Sequence, residues 1–567
     1  MKIIRREYVD DSQLEELISD PILRQILARR GLKTESDVNC SLSDIHHYKD
    51  LLDIDKASSI IAASIENGEG ILVAGDYDVD GITGTALGVR GLYDLGAKKV
   101  SYFVPSRYEG GYGISKTAVD AALEDGIKLI VTVDNGVSCK ESIEYAKSRG
   151  LKVVITDHHE VPENLPLADA IVDPKRKGDT FPSKNLCGAG VLFYVLVATR
   201  AILRDKGFYN SIGYIPRIGR FLDLVSLGTI GDVMVLDSNN RKLVKYGFNR
   251  IKNGECLVGI KALASSCKVN LEGINATSIA FDLCPRLNAP GRIKLEKNPA
   301  VSLMLTDDEQ EAMAIARELD MCNKRRGDYE RVFLKEATEE DAQSQKGNCA
   351  IVLYRPNWLV GLGGLIASRI KEMFSVPTFV FSGDGEELLG SARSVPGFSM
   401  VKILKAMDEK CPNLLSRYGG HAMAAGASIK KDSLETFRQM FNEIAKECLG
   451  NPTEDEILSD GELPSNYQNL AFARDLEAFG PWGNGFEEPC FDGKFTVESV
   501  SLVVSRHLRF VLRGEDGSTM RAIKLRATAN EKQITENTQV RVVYNVGVSH
   551  YMRSERLEIR ILNIEPV

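Results

Sequence analysis

The chain has 567 residues, 43% of them hydrophobic and 26% charged, with a net charge of −8. This is the balance of a soluble globular protein of about three or four domains, and its acidity argues against a generic polyanion binder. The 11 cysteines show no Cys-x-x-Cys spacing, which speaks against a zinc knuckle or dithiol site, and the charged opening MKIIRREYVDDSQ lacks the apolar stretch of a secretory leader. A cytoplasmic location without membrane association is expected.

Residues 1 to about 50 read as a polar helical lead-in. From about 70, strand-like runs at 71–75, 100–104, 129–133, 152–156 and 169–173 alternate with helical segments near 83–95, 115–125 and 139–149. Such alternation predicts a parallel sheet covered by helices, with ligands bound beyond the carboxyl ends of its strands. VLFYVLVATRAIL (191–203), interrupted by Arg200, is too short to span a bilayer and reads as a buried helix. The charged stretch 306–345 predicts a long connecting helix capped by Thr306 or Asp307. A second α/β region follows from 346 to 450, NPTED (451–455) has linker character, and short strands from about 490 predict a small β-barrel. The expected organisation is therefore a lead-in (1–50), a first α/β domain (51–305), the helix (306–345), a second α/β domain (346–450) and a barrel domain (451–567).

The chemistry concentrates at strand ends. GDYDVDGITG (75–84) places Asp76, Asp78 and Asp80 in alternation after the first strand, on one side of an extended chain. Their mutual repulsion calls for a cation among them. A calcium loop is excluded because the twelfth position, Leu87, is not a Glu. Asp134 (VDNGV) follows the third strand, and Asp157, His158 and His159 follow the fourth. Asp232 follows a helix expected to end near Gly231. Imidazoles mixed with carboxylates suit Mn²⁺ or Mg²⁺, and a carboxylate such as Asp134 can bridge two ions about 4 Å apart.

DYDVDG, VDNG, DHH and the GD at 231–232 resemble the signature motifs of the DHH phosphoesterase superfamily. FVPSRYEGGYG (103–113), LCGAG (186–190), PRLNAPGR (285–292), WLVGLGGLIASR (358–369), GSARS (390–394), YGGHAMAAG (418–426) and FGPWGNGFEEPCF (479–491) extend the likeness to its bacterial single-strand-specific 5′→3′ exonuclease branch. The resemblance implies a DHH domain, a DHHA1-like second domain and a terminal OB-fold. It implies two Mn²⁺ or Mg²⁺ ions per site, one held by Asp78 and Asp134, the other by Asp80, Asp134, His158 and Asp232. Asp76 would be a supporting acid and His159 would touch the scissile phosphate. Arg107, Arg286 and Asn288 would border the site, and Ser391, Arg393 and His421, with Arg369 nearby, would receive the phosphates of the DNA end. Two departures stand out: Ala74 and Leu359 occupy positions where relatives often carry His.

The implied activity is release of 5′-mononucleotides from the 5′ end of single-stranded DNA, in repair and recombination, by a monomer supplied by a single-strand-binding protein or a helicase. The barrel segment from Phe491 carries 12 basic against 9 acidic side chains, and Arg506, Arg509, Arg521, Lys524 and Arg553 stand near Phe510 or Tyr551, a pattern suited to a single-strand grip. Two other readings are a phosphoesterase acting on short oligonucleotides or cyclic dinucleotides, which needs no remote grip, and a non-catalytic replication scaffold, which has no need to keep the acids and His158.

Overall fold

The computed structural model describes residues 2–567 apart from 107, 109–112, 212, 294, 296–297, 450–455, 504–506 and 551–553, the side chains of 211 and 339–341 likewise excepted. Arg107, the expected linker 451–455, and Arg506, Tyr551 and Arg553 therefore lie outside the described residues. The chain opens on a strand, β1 (Lys2–Arg5), where a helical lead-in is expected. Four residues carry too little pattern to be read alone, and the parallel partner, Glu456–Ser459, stands in the last quarter of the chain. Helices Pro21–Ala28 and Ile54–Glu66 follow.

The first lobe is built on β2 (Gly70–Ala74), β3 (Val100–Phe103), β4 (Ile127–Val133), β5 (Lys152–Thr156) and β6 (Ala170–Val172), all parallel, in the order β3-β2-β4-β5-β6. Alternate residues feed two cores. Ile71, Val73, Leu129, Val131 and Val133 face the helix Val79–Asp94 and the buried helix Gly188–Asp205. Leu72, Ala74, Ile130, Val153 and Ile155 face the helices Lys116–Glu124 and Lys140–Ser148. Burial on both faces explains why the strands read as continuous apolar runs, and each buried Val, Leu or Ile side chain contributes about 1.5–3 kcal/mol. The strand order reverses at β2, so the loops leaving β2 and β4 open a crevice at the carboxyl edge.

The connecting helix, Glu309–Glu336, spans about 42 Å. Its cap is Asp308, whose Oδ1 accepts from Glu311 N at 2.7 Å, one residue past the expected Asp307. Thr306 is committed elsewhere, accepting from Asp308 N at 3.1 Å and donating to Glu311. The helix leads to β7 (Ile351–Arg355), β8 (Thr378–Ser382), β9 (Glu387–Arg393), β10 (Arg417–Gly420) and β11 (Ala424–Lys430), ordered β10-β11-β9-β8-β7 with only the β7–β8 pair parallel. Phe379, Phe381, Phe437 and Phe441 fill one side of this sheet, Phe379 and Phe381 stacked at 4.7 Å.

After β12 (Glu456–Ser459), five strands close into a barrel: β13 (Phe491–Val503), β14 (His507–Arg513), β15 (Thr519–Lys524), β16 (Gln539–Ser549) and β17 (Arg556–Pro566). Four are legible in the sequence; β15 is not, because its six residues lie between turns and are fixed by pairing with β14 and β17. The N-terminal segment is tied to the barrel and to the residues that lead into it. Arg5 grips the buried Asp492 at 2.9 Å, and Arg30 grips the buried Asp460 at 2.8 Å. Among the described residues no helix is long and apolar enough to cross a membrane.

Candidate metal centre

The expected extended run of three acids is broken by the helix Val79–Asp94, which starts between them. Asp78 is its N-cap, accepting from Gly81 N at 3.1 Å, and Asp80 lies in its first turn. The helix start is tied to the segment 285–292 by Asn288, whose Oδ1 accepts from Val79 N at 3.1 Å. A second helix start holds Asp80 from the opposite side: Gly188 N donates to Oδ2 at 2.5 Å and Ala189 N to Oδ1 at 3.0 Å. Paired N–H groups at a helix N-terminus are a natural anion cradle. They require close approach, since a Cβ on Gly188 would lie 2.6 Å from Asp134 Cα and one on Gly228 would lie 2.6 Å from Asp80 Oδ1.

Asp134 leaves β4 with φ +62°, a left-handed conformation that turns its carboxylate into the crevice. His158 Nε2 sits 3.0 Å from Asp134 Oδ1 and 3.7 Å from both Asp80 Oδ2 and Asp232 Oδ2. Asp232 caps the end of the helix Leu222–Gly231, as expected. Ligand atoms gather in three overlapping sets: Asp76, Asp78 and Asp134; Asp80, His158 and Asp232; Asp134, His158 and His159. Asp76, expected as a supporting acid, thus stands with the ligands. Asp157 turns inward and positions the histidines, accepting from His158 N at 2.8 Å, His159 N at 3.2 Å and, through Oδ2, Val137 N at 3.0 Å. It also meets His159 Nδ1 at 2.8 Å.

The electrostatics state the same need. Burial, then the Asp78 charge, raises the Asp80 carboxyl to about 6. Asp134 is pushed well above the carboxylate range by burial and then by Asp80, Asp78, Asp76 and Asp232. Asp232 moves the same way, through burial and then Asp78 and Asp80, although 35% of its side chain meets solvent and screens the effect. Burial, then His159, lowers His158 to about 3, so its imidazole is neutral and ready to ligate. Burial opposes a charge on His159, but the hydrogen bond to Asp157 raises it to about 9. A pocket of carboxylates that cannot all ionise by themselves, beside a neutral imidazole, fits divalent cations.

The second lobe closes over this centre. His421, after β10, brings its ring to 5.8 Å from that of His159. Ser391 and Arg393 share one face of β9, beside the glycines that start the helix Gly363–Phe374; a Cβ on Gly364 would stand 3.1 Å from Arg393 Nη2. The segment after the helix Cys284–Asn288 joins the lobes, with Tyr108 Oη donating to Arg292 O at 2.7 Å and Arg292 Nη1 donating to Gly361 O at 3.4 Å.

Two arginines expected at or near the substrate site, Arg286 at its border and Arg369 beside the phosphate-receiving residues, are engaged within the protein. Arg286 pairs with Asp320 at 2.9 Å, and Arg369 pairs with Glu330 at 3.4 Å and Glu372 at 3.0 Å. Asp320 and Glu330 both lie on the connecting helix, so these arginines lock it to each lobe, and a phosphate would have to displace carboxylates. Ala74 is buried in the apolar core and its carbonyl accepts from Asn135 Nδ2 at 3.0 Å. Leu359 packs between the clusters around Trp358 and Ile293, an apolar seam between lobes. Sequence reasoning singles out LCGAG and DHH without assigning roles to Gly188, Ala189 or Asp157. The signal for all three is their place at helix starts and strand ends facing the acids.

The domain signatures agree with this architecture: DHH family, N-terminal domain, matches residues 70–229, the DHHA1 domain matches 347–447, and the RecJ OB domain matches 459–563. The single-stranded-DNA-specific exonuclease RecJ of Escherichia coli (strain K12) is 37% identical, the alignment covering 100% of this chain and 99% of that protein. The crystal structure of RecJ in complex with Mn²⁺ from Thermus thermophilus superposes with a TM-score of 0.81 at 28% identity, covering 100% of this chain and 79% of that one. Its Mg²⁺ complex gives 0.76 at 27% identity, covering 100% and 78%. With DHH, DHHA1 and OB domains in succession and a relative 37% identical over 100% of this chain, the chain belongs to the RecJ family of DHH proteins.

Proposed function

We propose that this chain is a metal-dependent exonuclease that degrades single-stranded DNA from its 5′ end and releases 5′-mononucleotides, in DNA repair and recombination. The observation that carries the reading is the pair of ligand sets, Asp76–Asp78–Asp134 and Asp80–His158–Asp232, with Asp134 in contact with His158 at 3.0 Å. Mn²⁺ or Mg²⁺ would be held by these two sets, with Asp134 shared between them. When bound, such ions polarise phosphoryl oxygens and make water a competent nucleophile at neutral pH.

The chain's own groups supply the rest. Asp157 holds His159 by Nδ1 and favours its charged form, so Nε2–H can donate to a non-bridging oxygen of the scissile phosphate. Arg393, Ser391 and the N–H groups at Gly363 and Gly364 offer a fork, a hydroxyl and a helix start to the 5′ phosphate. Arg509 and Arg521 of the barrel would follow the backbone of the strand behind it, whereas Lys524, expected beside them, is largely covered and paired with Glu531 at 3.0 Å. The protein would act as a monomer in the cytoplasm on ends exposed by a helicase or by removal of a single-strand-binding protein.

The test is direct. Asp80→Ala and His158→Ala should abolish nucleotide release from 5′-labelled single strands with Mn²⁺ while retaining strand binding. Near-normal turnover in either variant contradicts the ligand assignment. Preference for a dinucleotide over a long strand would favour the short-oligonucleotide reading.

A further inference from the structure

Lys175 has no role in the scheme above, yet its position is built with care. β5 and β6 are parallel neighbours with Thr156 opposite Val172. His159 lies three residues beyond the end of β5 and Lys175 three beyond the end of β6, so the two leave the sheet side by side. The turn that presents Lys175 is pinned at both ends. Asp173 Oδ1 accepts from Lys175 N at 2.8 Å, and Arg176 N donates to Asp173 O at 3.1 Å. Arg176 is in turn fixed to Asp53 at 2.9 Å.

The side chain is largely covered. Lys175 is 21% exposed, and its Nζ stands 3.3 Å from Glu160 Oε1, whose side chain is 71% exposed. Its charge acts on His158, Asp232 and His421, groups delivered by three separate segments from both lobes. A cation is thus kept beside a pocket of carboxylates whose field repels any approaching phosphate. Its partner is a solvated glutamate, and an open pair of this kind holds weakly. A phosphodiester oxygen arriving in the cleft would have to displace only this weak, solvated pair.

We propose that Lys175 is a substrate-binding residue: its ammonium leaves Glu160 for a non-bridging oxygen of the DNA backbone adjacent to the scissile phosphate, and Glu160 is the anion that holds and competes for it. The inference rests on the reading of the substrate as single-stranded DNA. It assigns opposite effects to the two partners, which a structural ion pair does not.

Cleavage of a 5′-phosphorylated single strand with Mn²⁺ and strand affinity by fluorescence anisotropy without Mn²⁺ test it together. Lys175→Ala should raise KM and the dissociation constant about tenfold, with kcat changed less. Lys175→Arg should recover most of the loss, and Glu160→Gln should lower KM about twofold to threefold, with the Mn²⁺ half-saturation unchanged throughout. Unchanged affinity and KM in both Lys175→Ala and Glu160→Gln overturn the proposal. So does a Lys175→Ala effect confined to kcat with a shifted Mn²⁺ half-saturation, which would place Lys175 behind the metal ligands. If the native chain bound the strand without cutting it, the exonuclease reading would fail, while the anisotropy series would still decide the role of Lys175.

Discussion

The two lobes handle charge in opposite ways. In the first, Asp80, Asp134 and His158 are 1–2% exposed, held by helix starts and a left-handed turn. In the second, the β10 edge, Arg417–Gly420, is exposed along its whole length, and His421 reaches across from its end. Burial preserves the relative positions of acids that repel each other, so the first lobe is a preformed centre. A sheet edge leaves room for a flexible strand to arrive, so the second lobe is suited to grip. On the proposed reading, chemistry and end recognition sit on separate frames, joined by the connecting helix and its two arginine locks.

The largest effect expected is at Asp134, which belongs to one ligand set and touches His158 of the other at 3.0 Å. Asp134→Asn should lower turnover roughly a thousandfold or more, while circular dichroism shows a native fold; retention of substantial turnover would remove Asp134 from the centre. Gly188→Ala attacks the same frame from behind, because its new methyl would meet Asp134. A loss of about 10–100-fold in Mn²⁺ affinity is expected from calorimetric titration, and unchanged affinity would show that the cradle yields freely.

On the other lobe, Arg393→Ala should reduce the preference for a 5′-phosphorylated over a 5′-hydroxyl strand by about tenfold without altering Mn²⁺ binding. Loss of metal affinity instead would erase the division between the lobes.

The first lobe is the more legible in the sequence for the same physical reason. Its strands are continuous apolar runs, and the rule that ligands gather at their carboxyl ends brings Asp76, Asp134 and His158 together before any coordinates exist. What stays hidden depends on partners distant in the chain. β1 has too few residues to show a pattern and pairs near the other end of the sequence, and β15 exists through its neighbours. The carboxylates on the connecting helix that engage Arg286 and Arg369 follow from how the helix docks, as does the grip of Gly188 and Ala189 on Asp80. A resemblance names the residue types that a phosphate needs, but not the carboxylates that Arg286 and Arg369 meet in this structure.

Acid titration sharpens the contrast further. In the metal-free protein, Asp80 has a folded pKa of about 6, above its unfolded value. Such a group contributes stability below the unfolded value and loses it as pH rises through the folded one. The metal-free chain should therefore melt higher at about pH 5 than at about pH 8 as far as this cluster is concerned, and Mn²⁺ should restore stability at about pH 8. A wild-type-like pH profile in Asp80→Asn would contradict this. The smallest effect belongs to the barrel: Arg521→Ala should reduce the salt slope of strand binding by about 0.7, and an unchanged slope would take β15 off the DNA path.

The most direct measurement is anomalous diffraction from crystals of this chain grown with Mn²⁺. The account predicts two peaks about 4 Å apart, one among Asp76, Asp78 and Asp134, the other among Asp80, His158 and Asp232, with Asp134 touching both. A single peak away from Asp134, or none at saturating Mn²⁺, would contradict it.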